Sequence, residues 1–196
     1  MDSEIEEKYK ILLEQYGNKF TDFDLFFQSY EGLFVFSRID IVYNVLNLLL
    51  ESNIVNTSLK FLETGSGDGR IVALASIIGF PTYGLELSND MKEKSLEYIE
   101  KLKQKDIFVH IPIIKQGDFL KNDSYKKLNC TFQDIDIFFN YYTNTEQLIK
   151  KVAEEGKVGS IVISVSLSKR SVKTKMNLIY STELPDRNHY LFVYKK

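Results

Sequence analysis

Apolar positions at the start of the chain recur at helical intervals. Ile5, Tyr9, Leu12, Leu13 and Tyr16 fall on one face, and Gly17 follows as a stop, so the spacing predicts an amphipathic helix over residues 4–16. The next stretch, 20–36, is dense in aromatic residues (Phe20, Phe23, Phe26, Phe27, Tyr30, Phe34 and Phe36) yet fits neither the helical nor the strand period. Its role is open between a lid and a packing segment. Helical spacing returns with Ile39, Val42, Tyr43, Leu46, Leu49 and Leu50, which predicts a second helix over 38–52.

From residue 59 onward short apolar runs alternate with helical patterns. Strands are expected at 59–63, 82–87, 112–116, 135–141 and 160–166, with helices at 69–78, 89–103 and 145–155 between them. Such alternation implies parallel strands joined by crossover helices. Two further strands, 177–181 and 190–194, leave no room for a crossover helix and should pair antiparallel. The expected fold is α/β: a Rossmann-like seven-stranded mixed sheet, doubly wound, with N-terminal helices and a terminal antiparallel hairpin. A chain of 196 residues suits one structural unit. Residues 1–52 are expected as a helical and aromatic extension packed on a core of 53–196.

Composition narrows the classes of function. With 44% hydrophobic residues, 12 Tyr and 14 Phe, the chain can fill a substantial core, which sets global disorder aside. A formal net charge of -2 supplies no general attraction to nucleic acid or to an anionic membrane. The single cysteine, Cys130, excludes an internal disulfide and is expected to be structural, since no Cys/His cluster has zinc spacing. His110 and His189 show no partner pattern either and are expected to be structural. The N-terminus is acidic where a secretory signal would be basic, and no run of roughly 18 apolar residues occurs. A soluble, cytoplasmic protein without metal or membrane partner is the expectation, with its oligomeric state undetermined.

The densest chemistry lies in Glu63-Thr64-Gly65-Ser66-Gly67-Asp68-Gly69-Arg70, between the first predicted strand of the alternating region and the helix after it. Alternate glycines let the backbone turn sharply and come close to a ligand. A dinucleotide loop would read Gly-x-Gly-x-x-Gly, but Arg70 stands where its third glycine belongs and Gly69 falls one residue early. The second strand ends in Glu86, placed as an acid that accepts hydrogen bonds from both hydroxyls of a ribose. Asp118 and Phe119 follow the third strand, where Gly117-Asp118 is also good turn chemistry.

With its acidic residue followed by Gly-x-Gly-x-Gly at a strand end, and with its terminal hairpin, the sequence resembles the class I S-adenosylmethionine-dependent methyltransferases. The resemblance implies S-adenosylmethionine as cofactor and S-adenosylhomocysteine as product. It places Glu63 on the methionine ammonium group, the amides of Gly65, Ser66, Gly67, Asp68, Gly69 and Arg70 along the methionine portion, Glu86 on the ribose, and Asp118 and Phe119 at the adenine. The run through Gly69-Arg70-Ile71-Val72, followed by Gly79-Phe80 and Gly84-Leu85-Glu86, is most similar to archaeal protein-lysine methyltransferases and their mitochondrial relatives acting on an ATP synthase subunit, over residues 33 to 165. In that group a Val/Phe-Ser/Thr segment precedes a helix, as Val35-Phe36-Ser37 does here, which implies Ser37 as a cofactor or substrate contact.

The methyl acceptor is expected at the end of the fourth strand, near Asn140-Tyr141-Tyr142-Thr143. Nucleic-acid amino methyltransferases often carry Asp/Asn-Pro-Pro-Tyr/Phe there, and the lysine-modifying relatives usually carry a Tyr- and Leu-rich stretch ending in proline. This segment has no proline. A lysine acceptor needs a deprotonated amine in an aromatic slot with polar acceptors nearby, which Asn140 with Tyr141 or Tyr142 could build; strand alternation lets only one of the two tyrosines face it. Lys169, Arg170, Lys173 and Lys175 follow the fifth strand and form a basic stretch for either a solvated loop, an acidic protein surface or an RNA backbone. A protein substrate is therefore the leading expectation and RNA the second, with a catalytically silent cofactor-binding module as a third.

Overall fold

The structure, a computed structural model, describes residues 3–17, 26–29 and 32–196, with side chains described in 3–17 and from Phe36 onward. The chain begins with α1 (Ser3–Tyr16), whose buried residues Leu12 and Tyr16 lie on the expected apolar face. Two short strands, β1 (Phe26–Ser29) and β2 (Gly32–Val35), form an antiparallel pair separate from the main sheet. Four-residue strands are too short to print an alternating pattern, so the sequence signalled neither. Whether the 20–36 segment is lid or core lies otherwise outside the described residues.

Helix α2 (Ile39–Glu51) ends within a residue of its expected bounds. Then come β3 (Phe61–Thr64), α3 (Arg70–Ile78), β4 (Thr82–Glu86), α4 (Asn89–Lys103) and β5 (Ile113–Gln116). A short helix α5 (Asn122–Lys126) and a 3-10 turn at Phe132–Asp134 lead into β6 (Ile137–Tyr141). The chain closes with α6 (Thr145–Glu155), β7 (Ile161–Ser166), β8 (Asn177–Glu183) and β9 (Tyr190–Lys195). The sequence pattern missed α5 and the 3-10 turn because each is too short to show a period. The turn is held by Thr131, whose N–H and hydroxyl both bond Asp134 Oδ2, at 2.7 and 2.8 Å.

The seven main strands lie in the order β5-β4-β3-β6-β7-β9-β8. All neighbours from β5 to β7 are parallel, and β9 enters antiparallel between β7 and β8. This is the mixed, doubly wound sheet with a terminal hairpin that the alternation predicts. Side chains of the central strands alternate between two cores. Phe61, Ile137, Phe139 and Ile163 face α1 to α4, whereas Leu62, Phe138 and Val162 face α5 and α6. Every position of β3 and β6 is buried, as expected of parallel strands covered on both faces.

The chain runs outward from β3 through β4 to β5, then returns to pair β6 on the other side of β3. The carboxyl ends of β3 and β6 therefore flank the point where strand order reverses, and in open α/β sheets that crevice is where ligands bind. The glycine loop follows β3 and the Asn140–Thr143 segment closes β6. Topology alone brings these two motifs, far apart in sequence, to one edge.

Candidate functional site

Glu63 ends on the α1–α4 side of β3 and is almost fully buried. Its Oε2 has no hydrogen-bond partner. Burial pushes its carboxyl well above the usual carboxylate range, and Asp68 and Glu86 push the same way; the Val72 N–H in the first turn of α3 and the Arg70 guanidinium act against them. A buried acid with an open oxygen at this edge is a candidate to meet a cation, whose arrival would favour the ionised form. Ser66, the next side chain but one in the loop, also has a buried hydroxyl without a partner.

The glycine loop holds its shape in three ways. Gly65, Gly67 and Gly69 all have positive φ, at 75°, 53° and 82°, which a residue with a side chain would adopt only under strain. Glu86 then pins the loop to β4: its Oε2 accepts the Gly67 N–H at 2.7 Å and its Oε1 the Ser88 N–H at 2.9 Å. Finally, Asp68 and Arg70 form a buried fork, with Nε donating to Oδ1 at 2.9 Å and Nη2 to Oδ2 at 2.6 Å. The sequence read Asp68 and Arg70 only as contributors of amides; the structure commits their side chains to each other.

The N-terminal elements reach this loop directly. Tyr16, the last residue of α1, donates its hydroxyl to the Asp68 carbonyl at 3.2 Å, and the Arg70 guanidinium lies 4.4 Å from the Phe36 ring centroid and 5.5 Å from that of Tyr16. Ser37, beside Phe36, is buried as well. On the other flank, Asp118 Oδ1 accepts the Leu120 N–H at 2.9 Å, so its turn-forming role is realised, and Phe119 is nearly buried against the α5–α6 core. Cys130 lies in that same core away from the edge, its thiol pushed up by burial, as a structural cysteine should be.

At the end of β6, Asn140 is completely buried and both its amide nitrogen and its oxygen are hydrogen-bonded. Nδ2 donates to Thr64 Oγ1 at 3.1 Å and to the Thr143 carbonyl at 2.7 Å, and Oδ1 accepts the Thr145 hydroxyl at 2.6 Å. Asn140 thus ties β3, the loop after β6 and the start of α6 together. Immediately after it the backbone is strained. Tyr142 has φ 68°, and the Thr143 N–H bonds the Tyr141 carbonyl at 2.9 Å across it, a three-residue turn. A bulky residue in this region costs about 1–3 kcal/mol, and such strain concentrates at functional sites.

The strained turn breaks the strand alternation that would have sent the two tyrosines to opposite faces. Their ring centroids lie 4.2 Å apart and their hydroxyl oxygens 3.3 Å apart. Both oxygens meet Nε2 of His189, Tyr141 at 3.2 Å and Tyr142 in direct contact. Asp186 contacts the other ring nitrogen, Nδ1, and lies 3.6 Å from the Arg38 guanidinium, which in turn grips Asp40 at 2.6 Å. Burial pushes the Tyr141 phenol up; the Arg38 N–H and guanidinium oppose it, and Asp186 and Asp40 reinforce it. His189 therefore has partners on both ring nitrogens: Asp186 stands three residues before it, and the tyrosines, which its sequence surroundings did not reveal, come from the end of β6. His110, in contrast, is exposed.

A cleft of about 1130 Å³ opens beside this edge, between α6, β7, β9 and the 167–176 segment. Tyr142 and Asn144 stand at one end of its lining, Ser164 and Ser166 along its floor. Arg170, Lys173 and Lys175 line it from the basic stretch, and Lys150, Glu146 and Glu154 from α6. Lys169 instead lies over the Tyr190 ring, 5.6 Å from its centroid. No residue of the glycine loop lines the cleft. Among the described residues no cluster of His, Cys, Asp and Glu could hold a metal, and no helix is long and apolar enough to cross a membrane.

The sequence matches no protein-family model, and no curated protein is similar to it in sequence. Solved structures share its architecture. The rRNA methyltransferase AviRa from Streptomyces viridochromogenes superposes with a TM-score of 0.63 at 6% identity, over 81% of this chain and 85% of that one. An RNA methyltransferase from Salinibacter ruber, in complex with S-adenosyl-L-homocysteine, gives 0.54 at 18% identity over 78% and 90%. The geranyl diphosphate C-methyltransferase from Streptomyces coelicolor A3(2), in complex with Mg2+, geranyl diphosphate and S-adenosyl-L-homocysteine, gives 0.54 at 10% identity over 78% and 78%. At these identities the likeness is one of fold: the chain carries the Rossmann-like, seven-stranded mixed α/β sheet that these methyltransferases of RNA and of a small molecule have in common.

Proposed function

We propose that the protein is an S-adenosylmethionine-dependent methyltransferase whose acceptor is a protein lysine side chain. The observation that carries the cofactor half is the unpartnered, buried Oε2 of Glu63 beside a loop of three positive-φ glycines. The Glu63 carboxyl would meet the cofactor's ammonium, whereas the N–H groups of Gly65, Ser66, Gly67, Gly69 and Arg70 donate within the protein and so shape the loop rather than bind the ligand. Glu86 closes β4 beside the glycine loop, where an acid would be placed to take a ribose diol. Asp118 and Phe119 would flank the adenine, and Ser37 the methionine portion or the acceptor.

When bound, the cofactor supplies a methyl group made electrophilic by its sulfonium. The chain's own residues must then present a neutral amine and exclude water. Tyr141 and Tyr142 supply the aromatic slot, held together by the strained turn that Asn140 braces. Asn140 acts in this reading through that bracing, since its side chain is completely buried and both its amide hydrogens are committed to Thr64 and Thr143. The cleft that Tyr142 borders is the acceptor's approach. Its walls carry both signs of charge, with Arg170, Lys173, Lys175 and Lys150 against Glu146 and Glu154. A polypeptide with acidic residues near its lysine can match such walls, its carboxylates meeting the cations and its ammonium the two glutamates. This supports placing the protein with the lysine-modifying branch that its glycine loop resembles.

RNA is the second reading, favoured by the three cations of the 167–176 segment and by the fold neighbours that act on RNA. Labelled S-adenosylmethionine offered with separate protein and RNA pools from the source cell separates the two. Label in protein, recovered as methyl-lysine, is the expected result. Label in RNA alone overturns the lysine acceptor, and absence of both transfer and cofactor binding in folded protein overturns the methyltransferase reading.

A further inference from the structure

Resting on the amine-acceptor reading above, we infer that Asp186, His189 and Tyr142 form a proton relay that takes the proton from the acceptor ammonium. Of the three, Tyr142 alone lines the cleft, so it is the member through which the relay would reach the acceptor; His189 is buried and acts through it. The contact with Asp186 fixes the tautomer. A carboxylate at Nδ1 requires the N–H there, which leaves the Nε2 lone pair facing the two tyrosines.

The direction of transfer follows from that tautomer. As an ammonium N–H bond breaks, its proton passes to Tyr142 Oη while the Tyr142 O–H proton moves to His189 Nε2. The products are a neutral amine with its lone pair free and an imidazolium, so charge is conserved and no other reactant is needed. Asp186 stabilises the imidazolium, and Arg38 with Asp40 behind it holds Asp186 in place. Tyr141 faces the same nitrogen, and burial keeps its phenol protonated. The groups that set the titration of His189 are thus Asp186 on its own hairpin, Tyr141 and Tyr142 from the end of β6, and Arg38 and Asp40 from the approach to and first turn of α2. Asp186 also closes the β8–β9 turn, its Oδ1 accepting the Asn188 and His189 N–H groups at 3.3 and 3.2 Å. What marks a relay is that the Tyr142 backbone is strained to deliver the hydroxyl to a histidine already oriented by an acid.

Two measurements test this, one of them independent of cofactor and acceptor. With only two histidines in the chain, the imidazole of His189 can be followed by nitrogen NMR against pH in the full-length protein. The relay requires the Nδ1–H tautomer in the neutral ring and a titration that moves in Tyr142→Phe while the amide spectrum stays native. An Nε2–H tautomer, or a titration indifferent to Tyr142, overturns it. In methyl transfer to a lysine-bearing protein, the wild-type rate should rise with pH through the measured His189 titration. His189→Gln should lose that limb, fall about 10²-fold near neutral pH, keep its affinity for S-adenosylmethionine, and regain rate as the pH approaches the lysine's own ionisation. An unchanged profile and rate in His189→Gln overturns the relay. A wild type that methylates no lysine overturns the acceptor assignment, and the NMR titration then separately tests the Asp186–His189–Tyr142 chain, which an Nε2–H tautomer would overturn.

Discussion

At the scale of single residues, Glu63 and the Asp68–Arg70 pair show how the proposed binding edge draws on stability. Glu63 is an acid whose folded state holds its proton more tightly than the unfolded state does. From roughly pH 4.3 upward the unfolded chain has released that proton while the folded one still carries it, so this group makes stability fall as pH rises. Glu63→Gln should therefore raise the urea midpoint at neutral pH and flatten its pH dependence, while weakening S-adenosylmethionine binding in calorimetry. A variant that loses stability along with affinity would argue against a strained acid at this position. The neighbouring pair behaves oppositely. Asp68→Asn leaves a buried guanidinium without its counter-ion and should cost about 3–5 kcal/mol in urea unfolding. Arg70→Lys should recover little, because an ammonium cannot reproduce the two-pronged contact or lie flat on the Phe36 ring.

At the scale of elements, the segment after β6 is the part of the site built least like its neighbours. Strand periodicity would put Tyr141 and Tyr142 on opposite faces; the positive φ of Tyr142 puts them side by side. Asn140 holds that turn through three hydrogen bonds to Thr64, Thr143 and Thr145. Asn140→Ala should strand buried partners, at about 1–3 kcal/mol for each one left unsatisfied. It should also lower kcat more than cofactor affinity, since the glycine loop is held from elsewhere. Equal losses in both would show that the two halves of the edge are not independent. Neither the turn nor the use of Asn140 was legible in the sequence: a residue's φ and the partners of a buried amide depend on strands remote in the chain. The glycine loop was legible because its requirements are local, with each glycine marking its own turn.

At the scale of the whole molecule, the order of strands decides what can cooperate. Reversal of direction at β3 sets the loop at Glu63 beside the loop at Asn140, and insertion of β9 between β7 and β8 delivers His189 to the same edge. The 167–176 connection, without a helix of its own, then leaves a cleft walled by Arg170, Lys173 and Lys175. Replacing Lys173 and Lys175 by Glu should raise KM for the acceptor about tenfold or more at low salt, an effect that fades as ionic strength rises, with cofactor affinity unchanged. A KM indifferent to the charge reversal would place the acceptor elsewhere on the edge.

Local pattern by itself determined the α/β alternation, the antiparallel closing hairpin and the glycine loop with Glu63 and Glu86, because spacing, turn chemistry and strand ends are written in neighbouring residues. The sequence also named Asn140, Tyr141 and Tyr142 as the far wall of the site, but not what they do. Tertiary structure alone decided that Glu86 pins the loop, that Asp68 and Arg70 bind each other under Tyr16 and Phe36, and that Asp186 and His189 stand behind the tyrosines. The physical reason is the same in each case. Burial fixes which polar groups must find one another; Asp68–Arg70 and Asp186–His189 are near in sequence, but the groups packed on them, Tyr16 and Phe36 on one and the two tyrosines on the other, come from segments that meet only when the sheet has closed.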